Sequence, residues 1–367
     1  MTESLFFWFL IVLSAAYAAL TLFLLHGTSR LRYPKYAGTL HKLSVIVAAR
    51  NEARHLRDLL TSLVHQNYPA GSFEVIVVND RSTDDTASII ASFRNAHPFV
   101  RQIDITENRS DMPNKKNALR KAISESTFDI LVFTDADCIA PASWLRSVSD
   151  AFTDDVGIVA GYSPYREGTA GPFLRYEEMK NSIIAAAAVG AGSAYMCTGR
   201  NLAYRKSVFE VVGGFEPIKH SVSGDDDLFL QLVQRSTPWK IRYMTGPESY
   251  VTTLPPQNLS QFFHQRVRHL SASSSYPRTV HIAYGISHLF HLVLIAGFFI
   301  SPLISVAALA AKYSLDGLLA ATAIKLFDER TSVAGFFMFE PMLVLYTFLI
   351  GPLGFFKPFQ WKGTVST

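Results

Sequence analysis

Two acidic clusters carry the chemistry this chain can do. In the first, the apolar, β-prone run Asp129-Ile130-Leu131-Val132-Phe133 leads into Thr134-Asp135-Ala136-Asp137. A short apolar run of this kind reads as a buried parallel strand. Ligands of open α/β sheets bind outside the carboxyl ends of such strands. Two carboxylates one residue apart at that place form a hard oxygen site. It suits a divalent cation that keeps several waters and takes phosphate oxygens as further ligands. The competing reading is a surface Asp-x-Asp turn. The second cluster is Ser223-Gly224-Asp225-Asp226-Asp227-Leu228. Three adjacent like charges are unfavourable unless something uses them. They can cap the helix expected from Leu228 to Arg235, or supply a general base whose pKa is raised by its neighbours.

Other polar residues fall where neighbouring strands should end. Leu43 to Ala48 reads as a strand running into Ala49-Arg50-Asn51-Glu52, and Phe73 to Val78 as one running into Asn79-Asp80. Glu52 and Asp80 can therefore hold a base or ribose, or else serve helix N-termini as caps and dipole partners. Asn114-Lys115-Lys116-Asn117 opens a helix, so Lys115 and Lys116 can reach a diphosphate or form a solvated basic face. No Gly-x-x-x-x-Gly-Lys loop and no Gly-x-Gly-x-x-Gly turn is present, which leaves P-loop and dinucleotide readings without support.

The elements that must position these residues alternate. Strands are expected at 43–48, 73–78, 100–105 and 129–133, with helices at 52–65, 83–94 and 113–124 between them. That order predicts a doubly wound, mostly parallel sheet. Apolar residues make up 49% of the 367-residue chain and charged ones only 17%, against roughly 25% charged in a soluble domain. The deficit is local. Leu5 to Leu25 is free of charge over 21 residues, and at ~1.5 Å per residue it spans ~30 Å, the thickness of a bilayer core. Ile282 to Ala311 has no Lys, Arg, Asp or Glu, and Thr331 to Phe356 is apolar except for Glu340. A soluble catalytic-sized domain thus lies between membrane segments. A cleaved signal peptide is the alternative for the first, but no Lys or Arg precedes it and the apolar run is long.

Arg30, Arg32, Lys35 and Lys42 follow the first segment, and the positive-inside rule places the central domain in the cytoplasm, against anionic lipid headgroups. The net charge of +4 is modest, and no basic–aromatic interleaving points to nucleic acid. Cys138 and Cys197 read as reduced thiols. His281, His288 and His291 can suggest a metal, but read more readily as polar decoration of an interfacial segment.

Taken in order, these residues resemble the family-2 glycosyltransferases. Val45 to Glu52, Val77 to Asp84, Lys115 to Leu119, Phe133 to Asp137, Thr198 to Arg205 with Gly213-Gly214-Phe215, and Gly224-Asp225-Asp226 look like that family's elements in sequence. The match covers about 43 to 270. It implies a GT-A fold, Rossmann-like with a mostly parallel sheet, flanked by transmembrane helices. It also implies inverting transfer from a nucleotide diphosphate sugar. By position, Glu52 and Asp80 would bind the nucleoside, Asp135 the ribose, and Asp137 with Asp135 a Mg²⁺ or Mn²⁺ ion. Lys115 or Lys116 would meet the diphosphate. Asp226, with Asp225 beside it, would be the base, and Gly199 and Asn201 would lie on the acceptor side. Gln265-Arg266-Val267-Arg268-His269 resembles the Gln-x-x-Arg-Trp motif of membrane-embedded members, with His269 in place of Trp. Arg266 and Arg268 would then meet the diphosphate from an interfacial helix, or else belong to a juxtamembrane basic helix.

The expected organisation is an N-terminal anchor at 1–30, the GT-A domain at 40–275, transmembrane or interfacial helices at 280–356 and a tail at 357–367. The expected product is a cytoplasmic-membrane enzyme acting on a lipid-linked or cell-envelope glycan acceptor. The rivals are a processive synthase that exports its polymer and a non-catalytic sugar-nucleotide-binding module. Ile282 to Ala311 could be one tilted helix or two short elements broken at Pro302, and Gly317 to Phe327 an interfacial helix. An even number of C-terminal spans would return Lys357 and Lys362 to the cytoplasm.

Overall fold

A computed structural model describes residues 2–31, 39–107, 112–350, 360–361 and 364–365. Arg32, Lys35, Lys357 and Lys362 lie outside the described residues. The chain begins with helix α1 (Thr2–Ser29) and then alternates strands and helices: β1 (Leu43–Ala49), α2 (Leu56–Val64), β2 (Phe73–Asp80), α3 (Thr86–Ala96), β3 (Val100–Ile105), α4 (Asn114–Glu125) and β4 (Ile130–Asp135). It continues through α5 (Trp144–Ala151), β5 (Val156–Gly161), α6 (Pro172–Gly190), β6 (Leu202–Arg205), α7 (Lys206–Val211), α8 (Asp227–Ser236) and β7 (Lys240–Met244). Four helices close it: α9 (Leu259–Ser273), α10 (Arg278–Ile300), α11 (Pro302–Phe327) and α12 (Val333–Ile350).

β1 to β7 form one sheet in the order β3-β2-β1-β4-β6-β5-β7, and Gln360–Trp361 pairs with Thr364–Val365 apart from it. β3, β2, β1 and β4 run parallel, whereas β6 is antiparallel to both β4 and β5. Of these four, β1, β2 and β4 are apolar runs, and the carboxyl ends of all four share one edge. Alternate residues face opposite layers. Leu43, Val45 and Val47 of β1 pack with α2, α3 and α5, while Ile46, Ile76, Leu131 and Phe133 pack with α4, α6 and α8.

Among the described residues, four helices are long and apolar enough to cross a membrane: one near the N-terminus, spanning Ser4–Ser29, and α10, α11 and α12. Pro302 starts a second long helix rather than ending a short one, because proline at the first turn lacks only an N–H that would be unpaired there anyway. Gly317 to Phe327 is the second half of α11. α1, α10 and α11 pack on one another, but α12 packs mainly on α6. Three of these candidates are C-terminal.

The junction between bundle and sheet is intimate. Leu319, Ala323 and Phe327 of α11 and Phe336 and Phe339 of α12 lie in the same core as Ile46, Phe133 and Tyr204. Phe327 stacks on Tyr162, with ring centroids 4.3 Å apart. α1 meets α6 through two glycines. A Cβ on Gly27 would collide with the carbonyl of Ala187, and one on Gly190 with the carbonyl of Gly27. Small residues let helix backbones approach this closely. Gly27→Leu is therefore expected to separate α1 from α6 and destabilise the chain by about 1–3 kcal/mol, in the range of overpacked interiors. A fall in the thermal midpoint of the detergent-solubilised protein reads this out, and an unchanged midpoint contradicts it.

The buried charges of the apolar helices, Lys312, Asp316 and Glu340, are paired. Lys312 lies 2.6 Å from Asp316 and 3.3 Å from Glu340, and Lys180 of α6 lies 3.2 Å from Glu340. Tyr17 of α1 donates to Asp316 (2.9 Å). The cluster holds two cations and two carboxylates, so it is neutral, as buried charge must be to avoid a large desolvation penalty. The imidazoles of His288 and His291 face carbonyls of their own helix, Tyr284 and Ser287.

Candidate active site

The edge where the parallel strands end gathers most of the residues singled out above. At the end of β1, Asn51 adopts a positive φ of 55°, and after β2 Arg81 adopts one of 54°. Asn tolerates this conformation through local hydrogen bonding, whereas arginine seldom adopts it. The two turns brace one another. The Asn51 side-chain carbonyl accepts from the Thr83 N–H (2.8 Å), the Asn51 N–H donates to Ser82 Oγ (3.1 Å), and the Glu52 N–H donates to Thr86 Oγ1 (2.8 Å). Glu52 therefore sits in a turn four residues before α2 begins. Asp80 is the last residue of β2, buried, and accepts from Arg81 Nε at 2.7 Å.

Asp135 is the last residue of β4, and Asp137 follows it off the strand. Lys115, in the first turn of α4, reaches across to Asp135 Oδ1 at 3.1 Å and to Asp225 Oδ2 at 3.0 Å. One ammonium thus joins the two acidic clusters, which lie 90 residues apart in sequence. Burial works against its charge, but Asp135, Asp225 and Asp226 outweigh burial and hold Lys115 protonated well above the ordinary lysine range. Asp135 is likewise opposed by burial, yet Lys115, with Arg200 and Arg268 behind it, keeps its carboxyl below the usual value. Asp137 forms no ion pair among the described residues, and Arg200 favours its charge only from a distance. Burial, then the neighbouring Asp135, pushes its carboxyl upward.

Asp226 caps α8. Its Oδ1 accepts from the Asp227 N–H (2.8 Å) and its Oδ2 from the Gly199 N–H (2.9 Å). A carboxylate has about four lone-pair sites, so capping leaves room for an acceptor hydroxyl. Burial, then Asp225, raises its pKa, in the direction that suits a base. A Cβ at Gly199 would stand 3.3 Å from Asp226 Oδ2, so glycine keeps the space beside this carboxylate open. Asp227 points away, accepting from the Cys197 N–H (2.7 Å) and the Tyr276 hydroxyl (2.5 Å).

Three expected contacts are engaged elsewhere. Lys116 is fully buried, and its ammonium donates to the carbonyls of Ile218 (3.1 Å), Ser221 and Ser223 (2.8 Å). Burial pulls it down to about 8. It staples the loop that leads into Asp225 and does not face the crevice. Arg266 is buried against Glu177 at 2.5 Å and lies over the Phe262 ring. Asn201 is fully buried, accepting from Trp144 Nε1 (2.9 Å) and donating to the carbonyls of Tyr162 (2.9 Å) and Ser249 (2.8 Å), so its role here is to hold the fold. Lys116→Met leaves three carbonyls without their donor and should destabilise the chain by about 3 kcal/mol or more, given ~1.5–3 kcal/mol per charge-assisted hydrogen bond. A thermal midpoint equal to wild type would contradict that assignment.

Arg268 remains at the crevice. With Asp137, His55, Gln261, His264 and Gln265 it lines an open cavity of about 380 Å³. Its guanidinium donates to His269 Nε2 at 3.1 Å. Gln265 Oε1, in the cavity wall, is buried without a hydrogen-bond partner among the described residues. Arg200 escaped sequence reading although it follows Gly199. It is held by Glu178 (2.9 Å) and Thr198 Oγ1 (2.9 Å) and favours the ionised forms of Asp135 and Asp137.

A family profile described as glycosyl transferase family group 2 matches residues 130–352, more than half of the chain, and the glycosyl transferase family 2 profile matches residues 44–213. The chain belongs to the family-2 glycosyltransferases. This family-2 chain is similar to the probable glycosyltransferase YdaM of Bacillus subtilis (strain 168), 26% identical over 235 residues, covering 62% of this chain and 54% of that protein. It is also similar to glycosyltransferase AglE of Haloferax volcanii, 31% identical over 195 residues, covering 51% of this chain and 60% of that one. The family-2 chain thus spans little more than half the length of these curated relatives. In fold it resembles the mannosyltransferase PcManGT from Pyrobaculum calidifontis, solved with GDP-Man and Mn²⁺, with a TM-score of 0.60 and 22% identity over 96% of this chain and 100% of that one.

Proposed function

We propose that this chain catalyses inverting, metal-dependent transfer of a sugar from a nucleotide diphosphate sugar to a lipid-linked or cell-envelope glycan acceptor. The observation that carries the reading is Lys115 between Asp135 and Asp225. It brings a leaving-group carboxylate pair and a candidate base to one crevice, which a pure binding module would not require. Glu52 and Asp80 stand at the strand ends suited to the nucleoside, and Arg268 and Lys115 supply positive charge for the diphosphate. Gly199 lies on the acceptor side beside Asp226.

The residues present fit a divalent ion. Asp137 opens on the cavity with Asp135 two residues before it, and no group of three His, Cys, Asp or Glu side chains converges among the described residues. One or two carboxylates suit Mg²⁺ or Mn²⁺ whose shell is completed by water and phosphate. Bound there, the ion would neutralise the departing diphosphate. Asp226 takes the proton from the acceptor hydroxyl, and Lys115 keeps Asp135 ionised.

The reading places the crevice on the cytoplasmic side, with Arg30 and Lys42 after the first span. α12 carries Pro341 and Glu340, and its rings touch Phe173 of α6 and Phe262 of α9, which supports its lying against the domain. α1, α10 and α11 would then be the spans. A screen of UDP- and GDP-linked sugars with Mg²⁺ or Mn²⁺ tests the activity. Turnover or thermal stabilisation by a nucleotide sugar is expected, and the absence of both across the screen would end the proposal.

A further inference from the structure

One turn of α6 faces three parts of the molecule at once. The Tyr176 hydroxyl donates to Glu340 Oε2 of α12 (2.6 Å), and Lys180 pairs with the same oxygen (3.2 Å). Between them, Glu177 accepts from Arg266 of α9 (2.5 Å), and Glu178 accepts from Arg200 of the Thr198–Asn201 turn (2.9 Å). All four α6 residues are buried or nearly so, at 0%, 6%, 2% and 9% exposed for Tyr176, Lys180, Glu177 and Glu178. Successive side chains diverge by about 100° around a helix, so a single turn can grip elements on several sides.

Each partner leads somewhere definite. Arg266 is two residues before Arg268, which lines the cavity with Asp137. Arg200 adjoins Gly199, whose N–H holds Asp226. Glu340 also pairs with Lys312, which pairs with Asp316, the acceptor of the Tyr17 hydroxyl on α1. Three separate sets of ion pairs, joined through one turn of α6, therefore link the apolar bundle to both walls of the crevice. Buried ion pairs contribute little net stability compared with apolar packing, and their better-attested use is to fix register.

We propose that Glu177 and Glu178 are positioning residues, through which the apolar helices set the placement of α9 and of the Thr198–Asn201 turn about the crevice. The catalytic part of this inference rests on the sugar-transfer reading. Glu177 acts through Arg266 on the donor-side helix, so Glu177→Gln raises KM for the nucleotide sugar. Glu178 acts through Arg200 on the segment that holds Asp226, so Glu178→Gln lowers kcat, with partial rescue by Glu178→Asp.

The test uses the full chain in detergent and a double variant, Lys180→Met with Glu340→Gln. It removes one charge of each sign, keeps the cluster neutral and touches no crevice residue. Hydrogen exchange is expected to quicken roughly 3- to 30-fold in Thr198–Asn201 and α9, the range of 0.5–2 kcal/mol couplings, with β1 and β2 unchanged. A lowered thermal midpoint with wild-type exchange in both segments overturns the proposal and leaves the ion pairs as packing alone. Glu177→Gln and Glu178→Gln changing KM and kcat together by one factor would overturn the separate roles. If exchange quickens as expected but the wild-type chain turns over no nucleotide sugar, the coupling stands and the sugar-transfer reading falls.

Discussion

Asp226→Asn is expected to lower sugar transfer by about 10²–10⁴-fold, the loss of a general base, while nucleotide-sugar binding stays within about twofold of wild type. The amide can still accept the Gly199 N–H and cap α8 in part, so the local backbone keeps its place. What disappears is the ability to take a proton. The donor carboxylates lie across Lys115 from this position and lose no contact. Loss of donor binding in this variant would move the base elsewhere. The pH profile follows from the same geometry. Burial and Asp225 raise the Asp226 pKa, and the base works only when ionised. Activity is therefore lost as pH falls through that raised value, at a higher pH than for an ordinary carboxylate. Asp225→Asn should move the acidic limb downward, and a limb that stays in place would remove Asp226 from that role.

Asp137→Ala has the second large effect. Asp135 is already committed to Lys115 at 3.1 Å, which leaves Asp137 as the carboxylate facing the cavity. Its removal should lower turnover by about 10³-fold, the equivalent of several kcal/mol of Lewis-acid stabilisation. The residual rate should no longer respond to EDTA. Near-normal turnover that remains sensitive to chelation would place the ion on other residues. Folding should be little affected, because burial and Asp135 disfavour this carboxylate's charge.

β1, β2 and β4 were legible because each is a short apolar run closed by polar residues, whereas β5, equally apolar, and β7 were not named as strands. The antiparallel β6 was not read as a strand, since Leu202–Arg205 is only four residues long and lies within a stretch read as acceptor-side motif. The site was harder to read for a geometric reason. Lys115 and Lys116 are adjacent in sequence but about 100° apart around α4. One spans the crevice, and the other turns to the 218–223 loop. Arg266 and Arg268, two apart on α9, diverge by about 200° for the same reason, so one is buried on Glu177 and the other faces the cavity. Spacing alone shows that both members of a pair are basic, not which face they share with the ligand. Arg200 and Glu178 were missed because their meaning lies in a pair 22 residues apart. The one available signal was Tyr176-Glu177-Glu178-Met179-Lys180, a burst of charge at the head of an alanine-rich helix.

The shared core of sheet and bundle has a consequence for how the chain comes into being. Ile46 is made early and Phe339 near the end, yet both belong to one packed cluster with Phe133 and Tyr204 between them. A nascent chain that has released only its first 273 residues still lacks Leu319, Ala323, Phe327, Phe336 and Phe339. One face of α6 then waits uncovered, and its close approach to Gly27 waits with it for support. Contacts so distant in sequence are slow to form and leave apolar surface open in the interval. The enzyme's birth is thus a vectorial problem: docking of the last helices is the closing step of folding for the catalytic layer. Truncation before α10 removes part of its interior.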